Sequence, residues 1–268
     1  MVQFVFHNQQ RLTVYILKSK SNDILSDFKL QYKPFGERSI LIEWPHDISE
    51  KTLKSILFYK KELEKHYIKH EVYIKSAYNS ILVTYDKAIN NFYDEILTLK
   101  TLFLSHEDER NTSFRLWKIP VCYDESFGID LEEISEGNNL SVPDIIERHS
   151  SKNYRVYFIG FLPGFLYLGG LDKLLHVPRK SNPRLKVAKG SVAIGGSQTG
   201  IYPNESPGGW NIIGNTPLDF FNVNNEDPCF ARAGDQIQFM SITKKEYNTI
   251  AAKIKNKTYQ IENEIIND

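Results

Sequence analysis

The chain of 268 residues lacks most of the signatures that announce a function outright. It has two cysteines, Cys122 and Cys229, far apart, with no CxxC and no histidine at metal-ligand spacing. That argues against a zinc site or a disulfide framework and reads as reduced thiols in a cytoplasmic protein. Net charge is absent too. The 33 Lys and Arg balance 33 Asp and Glu, so no global field draws in nucleic acid or an anionic membrane. No apolar run nears the roughly 20 residues that cross a bilayer. The opening MVQFVFHNQQ has neither the basic start nor the cleavage site of a secretory signal. Nucleotide-binding GxxxxGKS/T and GxGxxG loops are missing, as is the GxSxG elbow of serine hydrolases.

What the chain does have is concentrated. Apolar content of 41% and charged content of 25% suit a soluble globular protein of two domains. Residues 160–217 hold 11 of the 15 glycines and 6 of the 11 prolines. Glycine supplies positive φ and lets other groups approach the backbone, and proline fixes φ. Such a stretch builds shaped loops, where binding chemistry tends to sit. It also carries six Lys and Arg against two acids, a local +4 in a neutral chain. A basic, glycine-lined surface suits a carboxylate or phosphate, hence a small-molecule substrate.

Residues 1–28 fit no recognisable unit and read as an N-terminal extension. From residue 29 a regular order begins. SILIEW (39–44) reads as a strand stopped by Pro45, with Asp47 and Ser49 as helix caps and Leu53, Ile56, Leu57, Leu63 and Tyr67 at helical spacing. Two strands (72–75 and 80–85), a helix over 88–104 and a strand over 115–123 complete a β-α-β-β-α-β order, the ferredoxin-like arrangement, over 29–125. Two short helices (130–136 and 142–149) link it, over 126–150, to a β-rich region at 151–243. There YRVYFIGF, GSVAIGG and DQIQFMSI alternate with turns, as in a barrel or sandwich. Thr243 with Glu246 opens a terminal helix, and a polar tail follows from about residue 257. The fold class expected is α+β.

GSQTGIYPNESPGGW (196–210) places amide, hydroxyl, phenol, carboxylate and indole groups within one loop stretch. Gln198, Tyr202 and Ser206 are its candidates for catalytic orientation or proton handling, and Thr199, Gly208, Gly209 and Trp210 for substrate binding. VPRKSNPR (177–184) carries Arg179 and Arg184 on proline-stiffened turns, as candidate anion ligands. Phe161, Pro163, Gly164 and Tyr167, in FLPGFLYLGGLD, are candidates for shaping the pocket, although Pro163–Gly164 is also an ordinary turn pair. His149 and His176 have no obvious carboxylate partner and read as structural.

These same segments, with PVCYDESFGIDLEEI (120–134) and GSVAIGGSQTGIYPNESPGGWNIIGNTPL (190–218), resemble the B subunit of bacterial ATP-dependent 5-oxoprolinase. That family includes the kinase inhibitor KipI and proteins labelled allophanate hydrolase subunit 1. The likeness runs from about Lys29 to Ile242 and implies a ferredoxin-like domain followed by a cyclophilin-like β-barrel. It also implies one component of an enzyme that opens 5-oxo-L-proline to L-glutamate. That component works with A and KipA-like C subunits and is inactive alone, with ATP used by the assembled complex. Two positions depart from the family pattern: Ser197 replaces a glycine, and Asn211 a basic residue. The alternatives are a KipI-like inhibitor of a sensor histidine kinase and a carboxyltransferase-type subunit, since related domains occur in urea carboxylase. Proline isomerisation ranks low, because fold does not imply function.

Overall fold

The computed structural model describes residues 28–46, 48–67, 71–104 and 113–267. β1 (Gln31–Pro34) and β2 (Ser39–Glu43) make a hairpin through a turn with Gly36 at φ +70°. Ser49 caps α1 (Glu50–His66) by accepting from the Thr52 amide at 3.3 Å, while the other candidate cap, Asp47, lies outside the described residues. Glu50 in the first turn and Lys65 and His66 in the last complement the helix dipole. β3 (Val72–Ser76), β4 (Ser80–Tyr85) and α2 (Phe92–Leu104) follow.

The four strands form an antiparallel sheet ordered β1-β2-β4-β3. Alternation turns Ile40, Ile42, Ile81 and Val83 onto the helices, where they meet Ile56, Tyr59, Leu63, Leu99 and Phe103 in one core. The Tyr59 hydroxyl, buried among them, donates to the Leu99 carbonyl at 2.6 Å.

The sixth element of the expected order lies elsewhere. β5 (Ser113–Cys122) runs parallel to β13 (Gln236–Ile242) and antiparallel to β14 (Asn263–Asn267), leaving β1 to fill the edge beside β2. Periodicity reports that a segment is a strand, not which sheet it joins. The near-continuous burial of its second half is that of a strand covered on both faces. β14 itself falls in the segment read as a polar tail.

α3 (Leu131–Asn138) and α4 (Val142–Ser150) lead into the second unit, α4 with a complete Ser141–Asp144 capping box and a proline in its first turn. Its strands are β6 (Asn153–Ile159), β7 (Leu166–Gly169), β9 (Ser191–Gly195), β10 (Gln198–Ile201), β12 (Asn211–Asn215) and β13. With β5 they close a seven-stranded barrel, β12-β9-β10-β7-β6-β13-β5, sealed where Asn215 meets Cys122. β8 (Arg184–Val187) and β11 (Ser206–Gly208) pair as a separate ribbon, and α5 (Lys244–Lys255) opens on the expected Thr243–Glu246 box. The expected α+β plan, a sheet-and-helix unit followed by a β-barrel, is the plan observed.

His149, on α4, is fully buried in the barrel and stacked on Phe239 at 4.5 Å. Its Nδ1 lies 2.7 Å from the Tyr123 hydroxyl and its Nε2 2.9 Å from the Thr199 hydroxyl, which donates to the Ala193 carbonyl. With the Thr199 proton so committed, Nε2 carries the ring proton and Nδ1 accepts from Tyr123. Burial holds the His149 pKa down at about 3.

Two expectations follow from this architecture. Folded His149 stays neutral, whereas in the unfolded chain it protonates near 6.5. The unfolded state therefore binds the extra proton, and stability falls as pH drops from about 6.5 toward 3, by ~1.4 kcal/mol per unit from this group. Urea unfolding between pH 7 and 4.5 should show that slope reduced in His149→Gln; an equal slope in both proteins would refute it. Second, a fragment of residues 150–243 lacks β5 and should be insoluble, whereas 113–268 should fold, as read by circular dichroism and gel filtration.

Candidate functional site

Strand alternation divides the barrel's candidates between two faces. Val192, Ile194 and Ile201 point inward, while Ala193 belongs to a small apolar cluster on the outside with Phe165, Val187, Tyr202, Trp210 and Ile212. Thr199 faces the interior, fully buried against His149, and so is turned away from Gln198, its half-buried neighbour.

The outer face is organised by Trp210. Its ring lies over Gly195, where a Cβ would come within 2.6 Å of the indole, and against Gly200, where one would come within 3.1 Å. Phe165 meets the indole edge-on at 5.6 Å and Tyr167 at 6.0 Å. Tyr167 also stacks on Phe158, 4.2 Å away and nearly parallel. Tyr202 fills the opposite side of Phe165 at 5.2 Å, with its hydroxyl against Gly208, where a side chain would collide with it. Burial raises the Tyr202 pKa, and the Trp210 backbone and Arg179 charge partly offset this.

Arg179 is exposed and its guanidinium lies over the Trp210 ring, 5.5 Å from the centroid. No ion pair engages it among the described residues. The loop beneath it is held at three points. Val177 bridges Gly196, the Asn211 side chain donates to the Pro178 carbonyl at 2.9 Å, and the Lys180 amide donates to the Gly209 carbonyl at 2.7 Å. Asn211 and Gly209 thus hold the loop that carries Arg179. A guanidinium so fixed loses little entropy on engaging an anion.

Arg184 behaves differently. Its Nη2 donates to Asp130 at 2.6 Å, and the same carboxylate takes Lys180 at 3.2 Å and the Ile212 amide at 2.6 Å. Asp130 is 2% exposed. Lys180 also reaches Glu133, and Lys189 pairs with Asp219. Most of the positive charge legible in residues 160–217 is therefore spent inside the protein, and Arg179 is the expected anion ligand left open.

Of the remaining candidates, Ser206 donates its hydroxyl to the Pro207 carbonyl at 3.1 Å. Phe161 is 62% exposed at φ +64° and reaches the aromatic group only through Phe165 at 5.6 Å. Pro163 is exposed, and Gly164 is buried against the Phe220 carbonyl. These two shape the β6–β7 turn rather than the face around Trp210.

One residue escaped sequence reasoning. Tyr78, in the turn between β3 and β4, leans across from the N-terminal sheet onto Phe158 at 4.7 Å, Tyr157 at 5.7 Å and Tyr167 at 5.9 Å. Burial pushes its phenol pKa up, Tyr167 adds to this, and a loose side-chain hydrogen bond with Gln198 and the Arg179 charge oppose it. Yet its buried oxygen makes no hydrogen bond of normal geometry among the described residues. Leaving a buried hydroxyl unpaired costs about 1–3 kcal/mol. The available signal was an aromatic at the tip of a tight turn, SAYNS, where small polar residues are the rule.

The site is thus an aromatic floor of half-buried Tyr167 and Phe158 beside the covered Trp210, itself 4% exposed, with one open guanidinium and the Gln198 amide at its rim. Such a surface can hold a small anion and a flat group beside it. A separate cleft of about 300 Å³, lined by Asp144, Glu147, Arg148, Ser151, Lys152 and Asp172, shares none of these residues. No group of three or more His, Cys, Asp or Glu among the described residues is placed to hold a metal. No described helix is long and apolar enough to cross a membrane.

A closed barrel carrying this face, joined to a sheet-and-helix unit, is the architecture of a carboxyltransferase-type protein. The chain matches the family described as carboxyltransferase domain, subdomain C and D, over residues 30–231. It is 33% identical to the B subunit of the Bacillus subtilis (strain 168) 5-oxoprolinase over 230 residues, which cover 82% of this chain and 96% of that protein. It is 47% identical to the B subunit of the Escherichia coli O157:H7 5-oxoprolinase over 126 residues, 47% of this chain and 58% of that one. The chain belongs to the carboxyltransferase-domain family that includes the B subunit of 5-oxoprolinase. The urea carboxylase of Kluyveromyces lactis superposes with a TM-score of 0.75 over 96% of this chain and 25% of that one, at 20% identity, a likeness of fold.

Asp130→Ala would leave Arg184 and the Ile212 amide without their acceptor and Lys180 with Glu133 alone. We expect a loss of about 3 kcal/mol in urea denaturation. A loss below about 1 kcal/mol would mean that water replaces the carboxylate and the ribbon is not anchored there.

Proposed function

We propose that this chain is the B subunit of an ATP-dependent 5-oxoprolinase, which opens 5-oxo-L-proline to L-glutamate together with its A and C subunits. The observation that carries this reading is the open Arg179 guanidinium held over Trp210, joined to the family membership. The substrate is a small flat lactam with a carboxylate. An aromatic floor receives the ring, and a fixed guanidinium receives the anion.

The role of this chain is binding and positioning. Arg179 neutralises the substrate's charge, Gln198 offers an amide to the lactam or to the carbonyl oxygen on which charge develops, and the aromatic walls keep water from the far side of the ring. Tyr202 supports the floor from behind. ATP is the one participant that these residues do not fit. The chain has no phosphate loop, and no group of three or more His, Cys, Asp or Glu among its described residues is placed to hold a metal. Nucleotide use on this reading belongs to the assembled complex.

A second reading, transfer of a carboxyl group, is favoured by the family description and by the fold shared with urea carboxylase. The two differ in what they consume: glutamate formation needs ATP and the lactam, whereas carboxyl transfer needs a carboxylated carrier.

The test is reconstitution. The chain alone should form no glutamate, and addition of its cognate A and C subunits should produce it in an ATP-dependent way. Arg179→Ala should lower kcat/KM at least ten-fold, about 1.4 kcal/mol, with little change in Tm because the side chain is exposed. Arg179→Lys should recover little, since a point charge lacks the planar fork. Wild-type rates for Arg179→Ala in an intact complex would remove this face from the chemistry.

A further inference from the structure

Phe161 holds a backbone conformation that its side chain disfavours. Its φ of +64° lies in the left-handed region, where a bulky residue is strained. The Leu162 amide donates to the Gly160 carbonyl at 2.8 Å across it, closing a γ-turn of the rare, strained form. The turn that follows enforces this geometry. The Phe165 amide donates to the Leu162 carbonyl at 3.0 Å and the Gly160 amide to the Phe165 carbonyl at 3.1 Å, with Pro163 and Gly164 between them and Gly164 at φ +84°. Burial does not account for the strain, because the Phe161 ring is 62% exposed and meets Phe165 edge-on at 5.6 Å.

The loop at 218–228 lies against the same turn. A Cβ at Gly164 would come within 2.8 Å of the Phe220 carbonyl oxygen and of the Phe221 Cβ. This loop is also held from within, the Asn222 amide donating to the Pro228 carbonyl at 2.8 Å and the Asn224 amide to the Asn222 side chain at 3.0 Å. It presents Val223, 73% exposed. Its charges, Asp219, Glu226 and Asp227, are all negative. Lys189 and Arg232 neutralise two of them, and Glu226 has no ion pair among the described residues.

We infer that these two loop tips form a docking knob for a partner subunit, with Phe161 as its aromatic anchor and Glu226 on its rim. The occupant is a protein surface with an apolar pocket edged by lysine or arginine. An aromatic held rigid before contact loses little entropy on insertion, and anchors of this kind dominate interface energetics. An acidic rim is repelled by anionic headgroups, so a protein fits and a membrane surface does not. The inference rests on the reading of this chain as one subunit of a complex. It adds that assembly grips the β6–β7 turn rather than the loop that carries Arg179.

The experiment measures the affinity of the purified full chain for its cognate A and C subunits by titration calorimetry, with Tm read in parallel. Phe161→Gly should weaken assembly about ten-fold or more while Tm stays within about 2 °C of wild type or rises, since glycine adopts positive φ without strain. Glu226→Lys should weaken it about three-fold, an effect that fades at high salt. At saturating partner, Phe161→Gly should form glutamate at the wild-type rate. Should Phe161→Gly lower Tm further, Val223→Ser decides, because that exposed position carries no strain and its loss should weaken assembly on its own. Wild-type affinity in a folded Phe161→Gly, or in Val223→Ser, would overturn the knob while leaving the functional reading in place. Unchanged affinity with a raised KM for 5-oxo-L-proline would make Phe161 a wall of the substrate site and overturn docking. Sedimentation of the wild-type chain with phosphatidylglycerol vesicles, lost in Phe161→Gly, would assign the tip to a lipid surface and overturn it too. Failure of the wild-type chain to bind either subunit would overturn the functional reading itself, and this inference with it.

Discussion

The indole of Trp210 lies flat against the outside of the barrel only because the strands beneath it carry no side chains where it rests. Gly195 and Gly200, both facing outward, make the room, and a methyl group at either would push into the ring or into the Leu166 carbonyl. Everything else at the site takes its position from that plate. Phe165 and Tyr167 meet its faces edge-on, Tyr202 packs behind Phe165, and Arg179 lies above it. The constraint is steric rather than chemical, and it explains why glycine-rich sequence and a functional surface coincide here.

Electrostatics then selects among the cations the loops bring together. Asp130 draws in Arg184, Lys180 and a backbone amide, and it ties α3 to β12 and to the β8–β11 ribbon. The Asn211 amide performs a neutral version of the same work, fastening the Arg179 loop to the barrel through the Pro178 and Ile194 carbonyls. A basic residue there would add charge but give up that anchor. Asn211 thus supplies rigidity in place of charge.

The elements that could be read from sequence are those whose signals are local. α1, α4 and α5 begin at the serine or threonine caps the chain displays, and the strands at 80–85 and 191–195 follow from short apolar runs between turns. Three features could not be read, each for its own reason. The partner of β5 lies about 120 residues away, and nothing in RLWKIPVC names it. Thr199 and Gln198 are adjacent, and the parity of the strand alone decides which sees the interior. The loss of Arg184 as a free cation depends on Asp130, 54 residues earlier in the chain. Composition locates a functional stretch, while the division of labour within it comes from long-range contacts.

The placement of β5 also has a consequence for synthesis. The strand leaves the ribosome directly after the first sheet and its helices, but its parallel partner, β13, follows more than a hundred residues later, and β14 later still. Parallel pairing over that separation is slow to form. During the interval the nascent chain presents WKIPVC as an apolar strand with both edges open, a template for pairing with other chains. Pro120, which cannot donate to a ladder, interrupts one of those edges at its most apolar part and weakens unwanted pairing while the barrel waits to close.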